Sequence, residues 1–343
     1  MAAKIQPIQG TDSRPHRTGC PVHRVQGCHL QALSKPSVIM ASQSSADSVW
    51  HCTQTLTGHE SWVRSVAVSP DSTFIVSGSG DKTVKVWDFA TGKLLHDLGS
   101  HGAWVRSVAV SPDSRLIASA SNDNTVRLWN SLTGTSLGSL DAHTDWVRAV
   151  VFSPCGNYLF TGAQDRTILC WRLGHSQPLH RIRCHDHWVR ALAVSPDGST
   201  LVSGSQDTTI HLHRIKGKGS HKVLLGHDSE VTTVATSPNN WLMASGGADC
   251  TVRFWKLNSG RQTTCFKAHD AAVNCVKFSP DGRLLATAGD DHLIKLWDIE
   301  QGSLVATLEG HGGRVWTVAF APNNSLLVSG GWDCQVKIWR PQR

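Results

Sequence analysis

A period of 42 residues governs this chain. Stepping from His59 lands on His101, His143, His185, His227, His269 and His311. The same step from Asp81 gives Asp123, Asp165, Asp207, Asp249, Asp291 and Asp333. From Pro70 it gives Pro112, Pro154, Pro196, Pro238, Pro280 and Pro322. From Trp87 it reaches Trp129, Trp171, His213, Trp255, Trp297 and Trp339, with His213 the one departure. Seven units hold this register without insertion or deletion. Equivalent units of this size cannot bury an apolar face alone, so each must pack on its neighbours.

Within a unit the punctuation predicts four short strands. Residues 62–68 form the first, and Ser69-Pro70-Asp71-Ser72 is a turn with proline presetting φ at its second position. Phe74 to Ser77 form the second strand, Thr83 to Trp87 the third, and Lys93 to Leu98 the fourth. The runs are too short and too regularly interrupted for helices. Four-stranded units repeated radially imply an all-β, seven-bladed β-propeller with four antiparallel strands per blade. Only Arg340 to Arg343 follow the last Trp, whereas residues 50–56 occupy fourth-strand register just before His59. The N-terminal strand 50–56 is therefore expected to complete the last blade beside 335–339 and to remove the open sheet edges.

The unit resembles the WD-repeat family over about residues 50–343. The resemblance is carried by Gly58-His59 at one end and Trp87-Asp88 at the other. Departures exist: Ser100, Ala142, Cys184 and Ala268 replace the Gly, and the Asp after Trp survives only as Asp88 and Asp298. Neither Trp-Asp pair is followed by Arg at the second position (Ala90, Glu300), which argues against the family's cullin-ligase adaptors. The resemblance implies a hydrogen-bonded chain of His, strand-two Ser or Thr, loop Asp and Trp in each blade. Here those sets include His59, Ser77, Asp81 and Trp87; His101, Ser119, Asp123 and Trp129; and His269, Thr287, Asp291 and Trp297. A Ser-His-Asp set invites a hydrolase reading, but a catalytic triad occurs once, not seven times. The chain is expected to be no enzyme, with no catalytic residue, no cofactor and no metal. No C-x-x-C pair, Walker-type loop or H-E-x-x-H motif is present. Blade four, having lost its anchor to His213, is expected to be the softest.

The resemblance also implies which side chains meet partners on the narrow top face: those three and five after the His, and one before the Asp. These are Trp62, Arg64 and Gly80; Trp104, Arg106 and Asn122; Trp146, Arg148 and Gln164; and Trp188, Arg190 and Gln206. Blades five and six supply Glu230, Thr232, Ala248, Ala272, Asn274 and Asp290, and blade seven Arg314, Trp316 and Trp332. The expected partner-binding set is thus Trp62, Arg64, Trp104, Arg106, Trp146, Arg148, Trp188, Arg190, Arg314, Trp316 and Trp332. Trp and Arg two apart share a strand face and can stack, worth about 0.5–2 kcal/mol. Val63, Val66 and Val68 already fill the core alternation, which leaves these Trp for another role. Duplication alone would also leave Trp-Val-Arg in successive units. An aromatic–basic face suits acidic or phosphorylated segments or single-stranded nucleic acid, and Glu230 and Asp290 are placed to orient a partner's basic end.

Residues 1–46 show no repeat and read as a disordered, mildly basic tail, with residues 47–343 forming the propeller. The tail carries five basic residues and one acidic, so it accounts for +4 of the formal +7. Bulk basicity therefore argues little for nucleic acid, and proteins are the favoured partners of a propeller expected to be monomeric within larger complexes. His16, Cys20, His23, Cys28 and His29 are a weak metal hint, and Met40 is a candidate second start. Lys216 to Gly219 read as a solvated basic loop. No run of 18 apolar residues is long enough to cross a membrane as a helix, so no membrane partner is expected. The first 30 residues lack the apolar run of a secretory signal. Ten Cys are too few for a disulfide scaffold, so reduced thiols in the cytoplasm or nucleus are expected.

Overall fold

The computed structural model describes residues 50–215 and 221–342. The expected tail, the candidate start at Met40, the metal hint within residues 16–29 and the loop at 216–219 lie outside the described residues. What is described is strand and turn throughout, in seven four-stranded antiparallel sheets. In the first blade the strands are Val63–Val68, Phe74–Ser79, Thr83–Asp88 and Leu94–Ser100, from the channel outwards. The predicted strands fall within one or two residues of these bounds.

The turns form where the sequence places them. The Ser72 amide donates to the Ser69 carbonyl at 2.9 Å, closing the turn that Pro70 initiates. Ser72 sits at φ 58°, and its equivalents Ser114, Gly156, Gly198, Asn240, Gly282 and Asn324 are all left-handed too. Ser, Asn and Gly at this position reflect that demand, since Gly meets it without a Cβ penalty and Asn at small cost.

The ring closes as expected. Trp50–Leu56 pairs antiparallel with Val336–Pro341, from Trp50 opposite Pro341 to Leu56 opposite Val336. The last sheet is therefore built from both chain ends. Apolar side chains do not gather at one centre. They lie between adjacent sheets, as where Val328, Val336 and Ile338 of the last blade pack on Val66, Ile75 and Trp87 of the first. The inner strands surround a central channel of about 420 Å³ lined by residues of all seven blades. The residues five after each His, from Arg64 round to Trp316, lie in its wall.

Candidate functional site

Two constructions must be separated, the network that builds each blade and the face the blades present. In the first blade His59 Nδ1 donates to Asp81 at 2.7 Å and Ser77 Oγ donates to His59 Nε2 at 2.7 Å. Trp87 Nε1 donates to Ser77 Oγ at 2.8 Å. Asp81 accepts further bonds from the Glu60 amide at 3.0 Å and the Thr83 amide at 2.8 Å. The His101, Ser119, Asp123, Trp129 and the His269, Thr287, Asp291, Trp297 sets have the same connectivity. Burial alone would raise the Asp81 pKa, but the bonds from His59 and Thr83 outweigh it and hold the carboxyl below its ordinary value. These histidines are buried and fully engaged, which leaves no lone pair for a substrate.

The face is a continuous band of indoles and guanidiniums running over blades seven, one, two, three and four. Trp62 is its hub, with ring centroids 5.0 Å from Trp104, 4.5 Å from Trp316 and 6.1 Å from Trp332. Gly80 makes this possible, because a Cβ there would lie 2.6 Å from the Trp62 ring. Arg106 lies over Trp62, Trp104 and Trp146 at 5.4, 5.1 and 5.7 Å. Arg148 lies over Trp146 at 5.6 Å and Trp188 at 4.7 Å, and Arg64 over Trp316 at 5.0 Å. Trp104, Trp146 and Trp332 remain substantially exposed.

Three expectations need correcting. Stacking was expected within each Trp-x-Arg pair; it occurs for Arg106 over Trp104 and Arg148 over Trp146, but Arg64, Arg106 and Arg148 also reach an indole of a neighbouring blade, because the inner strands converge on the channel. The residue before the loop Asp was expected to meet partners; Trp332 at this position is exposed, but in blades two and three Asn122 Oδ1 accepts from Arg106 Nε at 2.8 Å and the Gln164 amide oxygen accepts from Arg148. These amides aim the guanidiniums rather than projecting outwards. Finally, Glu230 and Asp290 are not a free acidic sector. Glu230 pairs with Arg190, and Asp290 lies 3.4 Å from Arg314 and accepts from Asn274 at 2.7 Å. Arg190 and Arg314 are thereby neutralised.

Arg64, Arg106 and Arg148 are different, because among the described residues no carboxylate lies within ion-pair distance of them. Burial pushes Arg106 down to about 8, with the charges of Arg148, Arg64 and Arg190 adding to the effect. Burial and neighbouring arginines likewise push Arg148 to about 9 and Arg64 to about 10. All three remain cations at neutral pH, crowded together and short of counter-charge.

Blade four carries a constellation the linear reading did not find. His213 Nε2 reaches Ser203 only at 3.4 Å, so the bond a Trp makes elsewhere is stretched. Around it gather Cys184, His211 and His221. Burial pushes His211 down to about 4 and His213 down to about 3, and pushes the Cys184 thiol up to about 12.

The described residues thus form a closed propeller of seven similar blades with an aromatic–cationic face. Comparison with known families agrees: the WD domain, G-beta repeat model matches seven times, at residues 50–88, 92–130, 134–172, 176–214, 219–256, 260–298 and 302–340. The chain belongs to the WD40 repeat family. Among curated proteins it is similar to the pre-mRNA-splicing factor PRP46 of Yarrowia lipolytica, 53% identical over 45 residues, 13% of this chain and 10% of that protein. A 69-residue segment is 35% identical to prp46 of Aspergillus fumigatus, covering 20% of this chain and 15% of the relative. Human Pleiotropic regulator 1 is 47% identical over 45 residues, 13% of this chain and 9% of its own length. The chain thus aligns with only a small part of each of these relatives.

Proposed function

We propose that this chain is a non-catalytic interaction scaffold that captures acidic or phosphorylated protein segments on its Trp/Arg face. One observation carries the reading: Arg106 and Arg148 are held between indoles and Arg64 over one, and among the described residues no carboxylate forms an ion pair with them. Guanidiniums so placed offer bidentate hydrogen bonds to a carboxylate or phosphate in a partly desolvated setting, where charge-assisted bonds are strongest. Exposed Trp104, Trp146 and Trp332 supply the flat apolar contact that anchors an interface. The division into a tail over 1–46 and a propeller from residue 47 belongs to the same reading. Splicing-factor names on the relatives favour work inside a multiprotein assembly, with a nuclear location first and the cytoplasm second.

The test uses the full chain against matched peptides that differ only in phosphoserine, glutamate or alanine. Binding should fall in that order, and Arg106→Ala with Arg148→Ala should abolish it without lowering the melting temperature, because removing two crowded cations relieves repulsion. Retained binding in the double variant sinks the assigned face. The same interleaving of Trp and Arg favours single-stranded RNA as a second reading. RNA binding that outcompetes every peptide and weakens steeply with salt would decide for it.

A further inference from the structure

Blade four departs from the repeat at three neighbouring positions, each time towards a metal-ligand type. Where other blades place Gly58, Ser100, Ala142, Gly226, Ala268 or Gly310, this one has Cys184. Lys85, Arg127, Leu169, Arg253, Lys295 and Lys337 correspond to His211, and six tryptophans correspond to His213. The fold then unites them. His211 and His213 are two apart in the strand Ile210–Arg214, so their side chains leave on one face, and both are buried. Cys184, which carries a free thiol, comes from the loop before His185. The ligand atoms of Cys184, His211 and His213 all lie within 4.8 Å of one another. His221 lies at the mouth, with its Nε2 2.7 Å from His211 Nδ1 and its ring 5.0 Å from that of His213.

We propose that Cys184, His211, His213 and His221 form a binding site for a thiophilic divalent metal ion, zinc foremost. Thiolate and imidazole are the donors zinc takes in tetrahedral sites, at about 2.3 and about 2.0 Å. For a small ion to replace the proton shared by His211 and His221, His221, which is exposed, moves outwards and the Cys184 and His213 ligand atoms settle to tetrahedral spacing. On binding, the Cys184 S–H proton leaves to solvent and the sulfur becomes the anionic ligand. Replacing the Trp anchor by a buried polar cluster removes apolar packing, and a bound ion restores a cross-link between strand and loop at that spot. The seven His–Asp pairs play no part, because their imidazoles are already engaged by Ser or Thr and Asp.

The experiment loads the full-length, reduced and metal-stripped chain with zinc or cobalt. Zinc should bind at one per chain and raise the melting temperature. Cobalt should give the near-ultraviolet charge-transfer band of a thiolate ligand and the visible bands of a tetrahedral ion. Cys184→Gly with His213→Trp restores residues that other blades carry at these positions, so it should fold while losing the thiolate band and the zinc-dependent shift. His221→Asn, at an exposed position, should weaken zinc by about tenfold or more while the chain still folds. Absence of the thiolate band from the wild-type chain overturns the proposal. So does an undiminished band in the double variant, which would assign the metal to other thiols.

Discussion

At the scale of single residues, the strand-two hydroxyl bears the most. Ser119 accepts from Trp129 Nε1 at 2.8 Å and donates to His101 Nε2 at 2.7 Å, inside a blade that excludes water from both. Ser119→Ala orphans two buried groups and should cost about 2–4 kcal/mol in denaturant unfolding. Ser119→Thr should be close to neutral, because Thr161 and Thr287 make the same bonds in blades three and six. Equal loss in both variants would show that side-chain volume, not the bond, matters. These contacts were legible in the sequence because each partner lies a fixed 10, 18 or 22 residues away. Orientation on the face was not: Asn122 and Gln164 occupy the same repeat position as Gly80, and only the converging strands show which amide steers an arginine and which gap admits an indole.

At the scale of elements, the closing strand ties the two ends of the described chain into one sheet. Trp50–Leu56 contributes Leu56 to the cluster beneath Trp87, and Thr53 Oγ1 donates to the Ile338 carbonyl at 3.2 Å. Removing residues 50–56 exposes the ladder edge of Val336–Pro341 and strips one wall from the junction between the last and first blades. The truncated chain should lose cooperative unfolding and show rapid amide exchange along Val336–Pro341. An unaltered, single melting transition would sink the closure argument. Blade four is the other distinctive element: its outer strand is described only as Lys222–Leu224, and its inner anchor is polar. His213 read along the chain is only a missing Trp. In space it is one of four ligand-type side chains, because Cys184 and His221 arrive from different segments.

At the scale of the whole molecule, identical networks add. All seven loop Asp carboxyls lie below their ordinary pKa: burial opposes ionisation, and hydrogen bonds from the blade His, joined by those of neighbouring residues, overcome it. A carboxyl with a depressed folded pKa contributes stability above its unfolded value, near 3.9, and loses it as pH falls through that value towards the folded one. Stability should therefore begin to fall near about pH 5 and drop most steeply between about pH 4 and about pH 2, read from the denaturant midpoint. A midpoint that stays fixed across this interval would contradict the summed contribution. Charge at the mouth is likewise collective: Arg106 is perturbed by three arginines from three other blades, so the field belongs to the ring and to no single repeat.

The sequence by itself determined the number of blades, the strands in each, the closing strand and the network that anchors each Trp. These follow from contacts of short, constant spacing, which a periodic chain writes repeatedly. Tertiary structure decided which arginines are free. Arg190 finds Glu230 and Arg314 finds Asp290 across blade junctions, whereas Arg64 reaches an indole at Trp316, in the last blade. It also decided that Cys184, His211, His213 and His221 share one small space. Such pairings depend on how neighbouring sheets twist against one another and on closure of the ring, and neither is encoded in the spacing of residues within a repeat.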